Sequence, residues 1–102
     1  MNNLAFYIQG NSMAPTIANG DMVICRELEP FESIEENELY AVITTTGIVM
    51  IKRVQKVQWN GNSQIRQLNL ASDNTTEEPS FQISGYNIRT LLKVEQKLPA
   101  TA

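Results

Sequence analysis

Short runs of apolar and β-branched residues, separated by polar turn residues, dominate the chain. Apolar and polar positions that alternate over about four to eight residues are typical of β-strands, whereas an amphipathic helix repeats every ~3.6 residues. Because no helical period persists over about ten residues, the pattern predicts a mostly β chain with no helix longer than about three turns. The predicted strands are Leu4–Gln9, Asp21–Arg26, Glu38–Thr44, Ile48–Lys56, Val57–Trp59, Gln64–Leu70, Phe81–Ile83 and Ile88–Val94.

Two turn sequences predict how these runs pair. Thr46-Gly47 joins two β-branched runs, and Asn60-Gly61 joins two later ones. An Asn-Gly pair between alternating runs is the strongest short signal of a β-hairpin. We therefore expect one domain over residues 1–102, built from small curled antiparallel sheets or a partial barrel. The aromatic side chains are expected to be core and hairpin residues rather than a ligand-binding set.

The composition limits the class of function. A chain of 102 residues with 42% hydrophobic residues can bury a core without disulfide or metal staples. The net charge is −3 and the pI is near 4.8, with six of the eleven acidic residues between Glu27 and Glu38. Nucleic-acid-binding domains usually carry a basic patch or stripe. We therefore expect no DNA-binding surface in this chain.

Cysteine and histidine usage narrows the chemistry further. The single cysteine, Cys25, can form no internal disulfide, which suits a reducing compartment, and its apolar surroundings predict a buried packing residue. The sequence contains no histidine, which excludes His-based triads and the commonest zinc sites. We expect no metal and no cofactor. With no signal peptide and no run near the ~20 apolar residues of a membrane span, we expect a soluble, cytoplasmic protein.

Ser12 is a candidate nucleophile because it lies between Gly10 and Pro15 on a constrained turn. Such a turn can present the serine oxygen outward, beside backbone N–H groups that bind an oxyanion. A serine in this position is also typical of a helix N-cap or an ordinary turn. The residues alone favour this simpler interpretation.

Lys52 is a candidate general base. Strand alternation puts Lys52 on one face with Ile48, Met50 and Val54, all apolar. A lysine on such a face either extends its amine to solvent or is desolvated, and desolvation favours the neutral amine that can take a serine proton. Arg53 cannot replace it as a base, because guanidinium keeps its proton in proteins. Periodicity alone does not decide which of the two basic residues lies inside.

Three segments resemble those of a known family. Gly10–Asp21 resembles the nucleophile box of LexA-type autopeptidases and bacterial signal peptidases, in which Ser-Met is often followed by Pro-Thr and then Gly-Asp. Ile51–Val54 resembles the box of their general-base lysine, and its spacing from Ser12 fits the LexA type. Leu70–Asn74, with Pro79 behind it, resembles the Ser-(Asp/Glu)-Asn segment of phage-repressor C-terminal domains. Signal peptidases carry a Pro-Gly-Asp segment and membrane helices that this chain lacks, so the LexA type, peptidase family S24, fits better.

The resemblance implies a role for each matching residue. Ser12 would be the nucleophile, Lys52 its base, and the backbone N–H groups of Asn11 and Ser12 the oxyanion hole. Asp73 and Asn74 receive no catalytic role and are also typical of a plain Asx turn. The positions that would shape the nucleophile turn are Met13, Pro15, Gly20 and Asp21.

The resemblance also implies a function. The chain would be the C-terminal autopeptidase and dimerisation domain of a transcriptional repressor, a homodimer without membrane contact that reaches DNA only through a missing N-terminal domain. A RecA-type filament would promote its self-cleavage in the SOS or prophage-induction response. We expect the dimer interface along Ile88–Val94 and on to Leu98. Family members cut at an upstream Ala-Gly or Cys-Gly bond, and this chain contains neither dipeptide.

Three other functions stay open at this point. The chain fits a non-catalytic repressor dimerisation module, a translesion polymerase accessory subunit of the same fold and, least well, a signal peptidase. The sequence upstream of residue 1 would discriminate among them, because each class carries a different N-terminal segment.

Overall fold

The computed structural model describes residues 3–76 and 79–100, and these residues form seven β-strands and one short 3-10 helix. The predicted mostly β fold is confirmed. No helix in this part of the chain is long and apolar enough to cross a membrane. The strands are β1 (Asn3–Tyr7), β2 (Met22–Glu27), β3 (Leu39–Thr44), β4 (Val49–Trp59), β5 (Ile65–Ala71), β6 (Phe81–Ser84) and β7 (Ile88–Leu98), with the 3-10 helix Gly85–Asn87 before β7.

The described strands form one antiparallel sheet in the order β1-β2-β7-β3-β4-β5-β6. The two predicted hairpins join β3 to β4 and β4 to β5. In the first turn Gly47 has a φ of 92°, a conformation that favours glycine, and its N–H donates to the Thr44 carbonyl at 3.0 Å. The small curled sheets expected from the sequence are instead one continuous sheet, because β7 lies between β2 and β3 and pairs with both of them.

Two apolar clusters form the core. Successive side chains of a strand point to opposite faces, so Ala41 packs in one cluster while its neighbours Tyr40 and Val42 pack in the other. Cys25 is fully buried in the first cluster, as predicted, and burial raises the pKa of its thiol to about 11. The buried members of the first cluster are Met13, Ile17, Val23, Cys25, Ala41 and Leu92, and those of the second are Tyr40, Val42, Val54, Leu68 and Leu70.

The aromatic residues divide between core and surface. The prediction of core positions holds for Tyr40, Phe6 and Phe81, which are buried in the clusters or pack against them. It is wrong for Phe31 and Tyr86, which are almost completely exposed. Both lie outside the strands, where no alternation directs a side chain inward; Phe31 has a φ of 69° in the irregular acidic segment after β2.

Candidate active site

The candidate nucleophile lies in a loop between β1 and β2, residues Gly10–Asp21, which we call the Ser12 loop. Two backbone hydrogen bonds close its base: Ile8 N donates to Asp21 O, and Gly20 N donates to Ile8 O, both at 2.8 Å. Gly10 and Gly20 have φ values of 90° and 91°, which L side chains adopt only with strain. These positive φ values explain why the motif has glycine at positions 10 and 20.

Other motif residues shape the interior of the same loop. Met13 is buried in the first core cluster, where it anchors the loop beside Ser12. The buried Asp21 carboxylate accepts from the N–H groups of Ala18 at 2.8 Å and Ala100 at 3.1 Å. The hydrogen bond from Ala18 is the main cause that holds the pKa of Asp21 below its usual value. Pro15 is exposed on the loop, so it acts by restricting the backbone rather than by packing in the core.

The candidate base, Lys52, lies inside the protein. Lys52 is only 6% exposed on β4, on the face that it shares with the partly buried Met50 and the fully buried Val54. Its Nζ donates to the Ser72 Oγ at 2.7 Å, within the buried part of the fold. The Arg53 side chain is 29% exposed. The structure therefore decides the question that periodicity leaves open, in favour of Lys52.

Ser12 and Lys52 line the same cleft, which has a volume of about 350 Å³. The cleft runs between the end of β1 and the start of β4, and Ser12 is half-buried in its wall. Its remaining lining residues are Phe6, Tyr7, Ile8, Gln9, Met13, Val49, Met50 and Ile51. A Ser12–Lys52 hydrogen bond and an oxyanion role for the N–H groups of Asn11 and Ser12 remain predictions.

The segment after β5, to which the sequence assigns no catalytic role, connects the Ser12 loop to β4. The Asp73 carboxylate accepts from Arg53 Nε at 2.8 Å and Arg53 Nη2 at 2.7 Å, a bidentate pair. The same carboxylate accepts from Thr16 Oγ1 at 2.5 Å. Thr16 belongs to the Ser12 loop, and Arg53 follows Lys52 on β4. These hydrogen bonds of Asp73, which we call the Asp73 clamp, therefore link the loop that carries Ser12 to the strand that carries Lys52.

Asn74 makes a second connection to the loop. Its backbone N–H donates to the Ser12 carbonyl at 2.9 Å, and its Nδ2 donates to the Asn11 carbonyl at 3.0 Å. Its Oδ1 accepts from Thr76 N at 3.2 Å, which is the Asx turn expected from the sequence. Asn74 therefore fixes the backbone on which the predicted nucleophile lies.

The Asp73 clamp predicts a pH-dependent contribution to stability. The hydrogen bonds from Arg53 are the main cause that lowers the pKa of Asp73, with Thr16 adding to it and burial opposing it. A lowered folded-state pKa gives stability that is fully present above the unfolded value of ~3.9 and is lost as pH falls through the folded value. We expect Asp73→Asn to reduce the free energy of unfolding by about 1–2 kcal/mol at pH 7 in urea denaturation.

Glu95→Gln is the matched control, because that carboxylate also pairs with an arginine, Arg26, but its side chain is 45% exposed. Glu95→Gln should reduce the free energy of unfolding by less than about 1 kcal/mol. The difference between wild type and Asp73→Asn should shrink below about pH 4. A difference that is the same at pH 7 and in acid would contradict the clamp.

Comparison with known proteins finds one family whose model matches most of the chain. Residues 2–90 match the family described as Peptidase S24-like. An uncharacterized HTH-type transcriptional regulator of Haemophilus influenzae (strain ATCC 51907 / DSM 11121 / KW20 / Rd) is 36% identical over 95 residues, which are 93% of this chain and 36% of the relative. The chain therefore spans about a third of that relative's length. No solved structure gives a significant match.

Proposed function

Because the chain belongs to the peptidase S24-like family, we propose that it is the autopeptidase domain of a transcriptional regulator. In this proposal Ser12 attacks a peptide bond of the regulator's own chain, and Lys52 takes the Ser12 proton. The observation that carries the proposal is the shared cleft: a half-buried serine and a buried lysine line one opening. A nucleophile and a base in one such site are the parts that acyl transfer requires.

The proposed reaction proceeds in two acyl-transfer steps. Ser12 Oγ bonds to the carbonyl carbon of the scissile peptide, while its proton moves to the neutral amine of Lys52. The N–H groups of Asn11 and Ser12 stabilise the resulting oxyanion. Lys52 then gives the proton to the leaving nitrogen, the C–N bond breaks, and an ester remains on Ser12. Water attacks this ester with Lys52 again as the base, which restores the serine.

The regulatory half of the proposal rests on the relative. That protein is an HTH-type regulator, and its length leaves room for a DNA-binding segment outside the matched part. Cleavage would separate such a segment from this domain. If the domain is a homodimer, as we propose, the two DNA-binding segments would then lose their shared avidity for DNA. A RecA-type filament is the proposed trigger in an SOS or prophage-induction response. A regulator of transcription works beside the chromosome, so the proposed location is the cytoplasm.

The proposed dimer interface lies on β7. In the first part of β7, Leu92 is buried in the first cluster, whereas Ile88, Leu91 and Val94 are half-buried and pack against the two clusters. Residues 95–98 are exposed, and Leu98 is 39% exposed. We propose that this exposed end contributes the most accessible part of the interface along Ile88–Val94 and on to Leu98.

Self-cleavage of a longer protein tests the proposed function. The regulator that contains this chain, with its native upstream sequence, is purified and incubated from about pH 7 to about pH 10. We expect two fragments by intact mass, formed faster at higher pH, with the new C-terminus upstream of Ser12. A protein that stays whole over this range would point instead to the non-catalytic dimerisation module, in which the hydrogen bond from Lys52 to Ser72 is purely structural.

A further inference from the structure

The end of β7 and the two residues after it, residues 97–100, lie against the Ser12 loop; we call them the 97–100 segment. Ala100 N donates to Asp21 Oδ1 at 3.1 Å, and Lys97 Nζ donates to the Thr16 carbonyl at 3.0 Å. A Cβ built on Gly20 would lie 3.2 Å from the Ala100 Cβ, so the two backbones pass close to each other. The segment therefore contacts the loop at three positions, although the hydrogen-bonded pairs lie 79 and 81 positions apart in sequence.

Asp21 is the main receiving group in the loop. Its Oδ2 accepts from the Ala18 N–H at 2.8 Å, within the loop, and its Oδ1 accepts from Ala100. The Asp21 side chain is buried, and a buried carboxylate that lacks hydrogen-bond donors is costly. Each donor therefore stabilises the loop in this shape. The Gly-Asp end of the motif joins the Ser12 loop to the end of β7.

Thr16 receives contacts from two distant parts of the chain. Its Oγ1 donates to Asp73 in the Asp73 clamp, and its carbonyl accepts from Lys97. The Ser12 carbonyl accepts from Asn74 N at 2.9 Å. The segment after β5 and the 97–100 segment thus hold the same loop together.

The position of Ser12 depends on such contacts. The Ser12 loop contains no helix or strand of its own, so other segments fix its shape. A nucleophile must be held close to its attacking geometry, and a misplacement of about 1 Å can cost ~10²-fold in rate. Support from outside the loop is therefore part of what makes a serine reactive.

We infer that the 97–100 segment is a positioning element for Ser12: the Ala100 N–H and the Lys97 amine hold the Ser12 loop in the shape that keeps Ser12 in the cleft with Lys52. Residues 97–100 do not line the cleft, so they act through Asp21 and Thr16. The inference rests on the proposed function, because Ser12 is its nucleophile. Its first consequence, a loop that opens less often, can be measured without peptidase activity.

The test uses the 102-residue chain with two readouts. The first is amide hydrogen exchange by NMR at Ile17 and Asp21, whose N–H groups close turns inside the loop. The Val54 amide, on the buried part of β4, reports global unfolding in the same experiment. The second readout is the rate at which a fluorophosphonate modifies Ser12: the Ser12 oxygen replaces fluoride on phosphorus, and the Ser12 proton goes to Lys52.

The variants remove or keep one donor at a time. Ala100→Pro removes the N–H that Asp21 accepts, and Ala100→Ser keeps it. Lys97→Met removes the second donor, and Lys97→Arg keeps a donor on a side chain of similar reach. Lys93→Met is the matched control, because Lys93 is also on β7 but pairs with Glu35, outside the Ser12 loop. Light scattering at the assay concentration checks that every variant keeps the wild-type assembly.

In Ala100→Pro we expect exchange of the two loop amides to speed up and Ser12 modification to slow, each by roughly 10-fold, because a buried carboxylate loses a donor. Lys97→Met should change both readouts by roughly 2- to 5-fold, since Lys97 is exposed. The pH at which modification is half-maximal should stay at the wild-type value, because Lys52 and its neighbours are untouched. Exchange at Val54 should not change.

The conservative variants Ala100→Ser and Lys97→Arg should keep both readouts near wild type, as should Lys93→Met. Unchanged loop exchange in Ala100→Pro would overturn the inference, because the segment would then not hold the loop. Faster loop exchange with an unchanged modification rate would also overturn it, since the contact would be purely structural. In both cases modification of the wild type at Ser12 would leave the proposed function standing. A wild type that is not modified at any pH would overturn the proposed function and the positioning role with it.

Discussion

Ser12→Ala in the longer protein is expected to abolish self-cleavage at every pH, and Lys52→Arg is expected to come close to the same result. Losing the nucleophile removes the acyl step altogether, so a loss of roughly 10⁴-fold or more is expected. Arginine keeps the positive charge of lysine but cannot accept a proton, so it cannot act as the base. The rate in wild type should rise with pH, because only the neutral amine acts and free lysine titrates near ~10.4. Lys52→Arg should remove that rise.

Controls separate chemistry from folding in this experiment. Lys56→Arg changes an exposed lysine on the same strand, β4, and should cleave at the wild-type rate. Lys52→Met places an uncharged linear side chain among the apolar neighbours of Lys52 and should fold but not cleave. Melting curves of all the variants check that folding is retained. Normal cleavage by Lys52→Arg would show that another group is the base.

Gly85→Ala is expected to lower the free energy of unfolding strongly, because a Cβ there has no room. An ideal Cβ on Gly85 would lie 1.9 Å from the carbonyl oxygen of Ile65 and 2.9 Å from its carbon. Both atoms are backbone atoms of β5, so the turn and the strand must separate. Overpacking of this kind typically costs about 1–3 kcal/mol, and a backbone clash this close belongs at the upper end, about 3 kcal/mol.

Gly61→Ala is the matched control for Gly85→Ala, because a Cβ at Gly61 meets no other residue within 4 Å. Its effect should stay within about 0.5 kcal/mol. Urea denaturation of both variants gives the comparison. Equal stability of the two variants would mean that Gly85 does not touch β5 as described.

The local parts of the fold were predictable from the sequence. The hairpins β3-β4 and β4-β5 follow from alternating runs and the glycine turns at Gly47 and Gly61. The placement of β7 was not predictable, because its pairing with β2 joins residues far apart in sequence and no local pattern encodes it. The continuity of the sheet depends on this pairing.

The candidate site shows the same division. The motifs along the chain identify Ser12 and Lys52 as candidates, and the structure has both residues lining one cleft. The inward position of Lys52 does not, because both faces of β4 carry apolar residues and the choice depends on what packs above each face. The burial of Ser72 and its contact with Lys52 were not predicted, although Ser72 continues the buried face of Leu68 and Leu70 in β5 by strand alternation. That pattern was the available signal for a buried hydroxyl.

The most direct test of the central claim is to identify the residue that a fluorophosphonate modifies on this chain. The chain is treated at about pH 9, where more lysine is neutral than at pH 7, and is then analysed by intact mass and peptide mapping. The account predicts one adduct, on Ser12, which Lys52→Arg prevents and Lys56→Arg does not. An adduct on Ser72 or another serine, no adduct at all, or full modification of Ser12 in Lys52→Arg would contradict the proposed Ser12–Lys52 dyad.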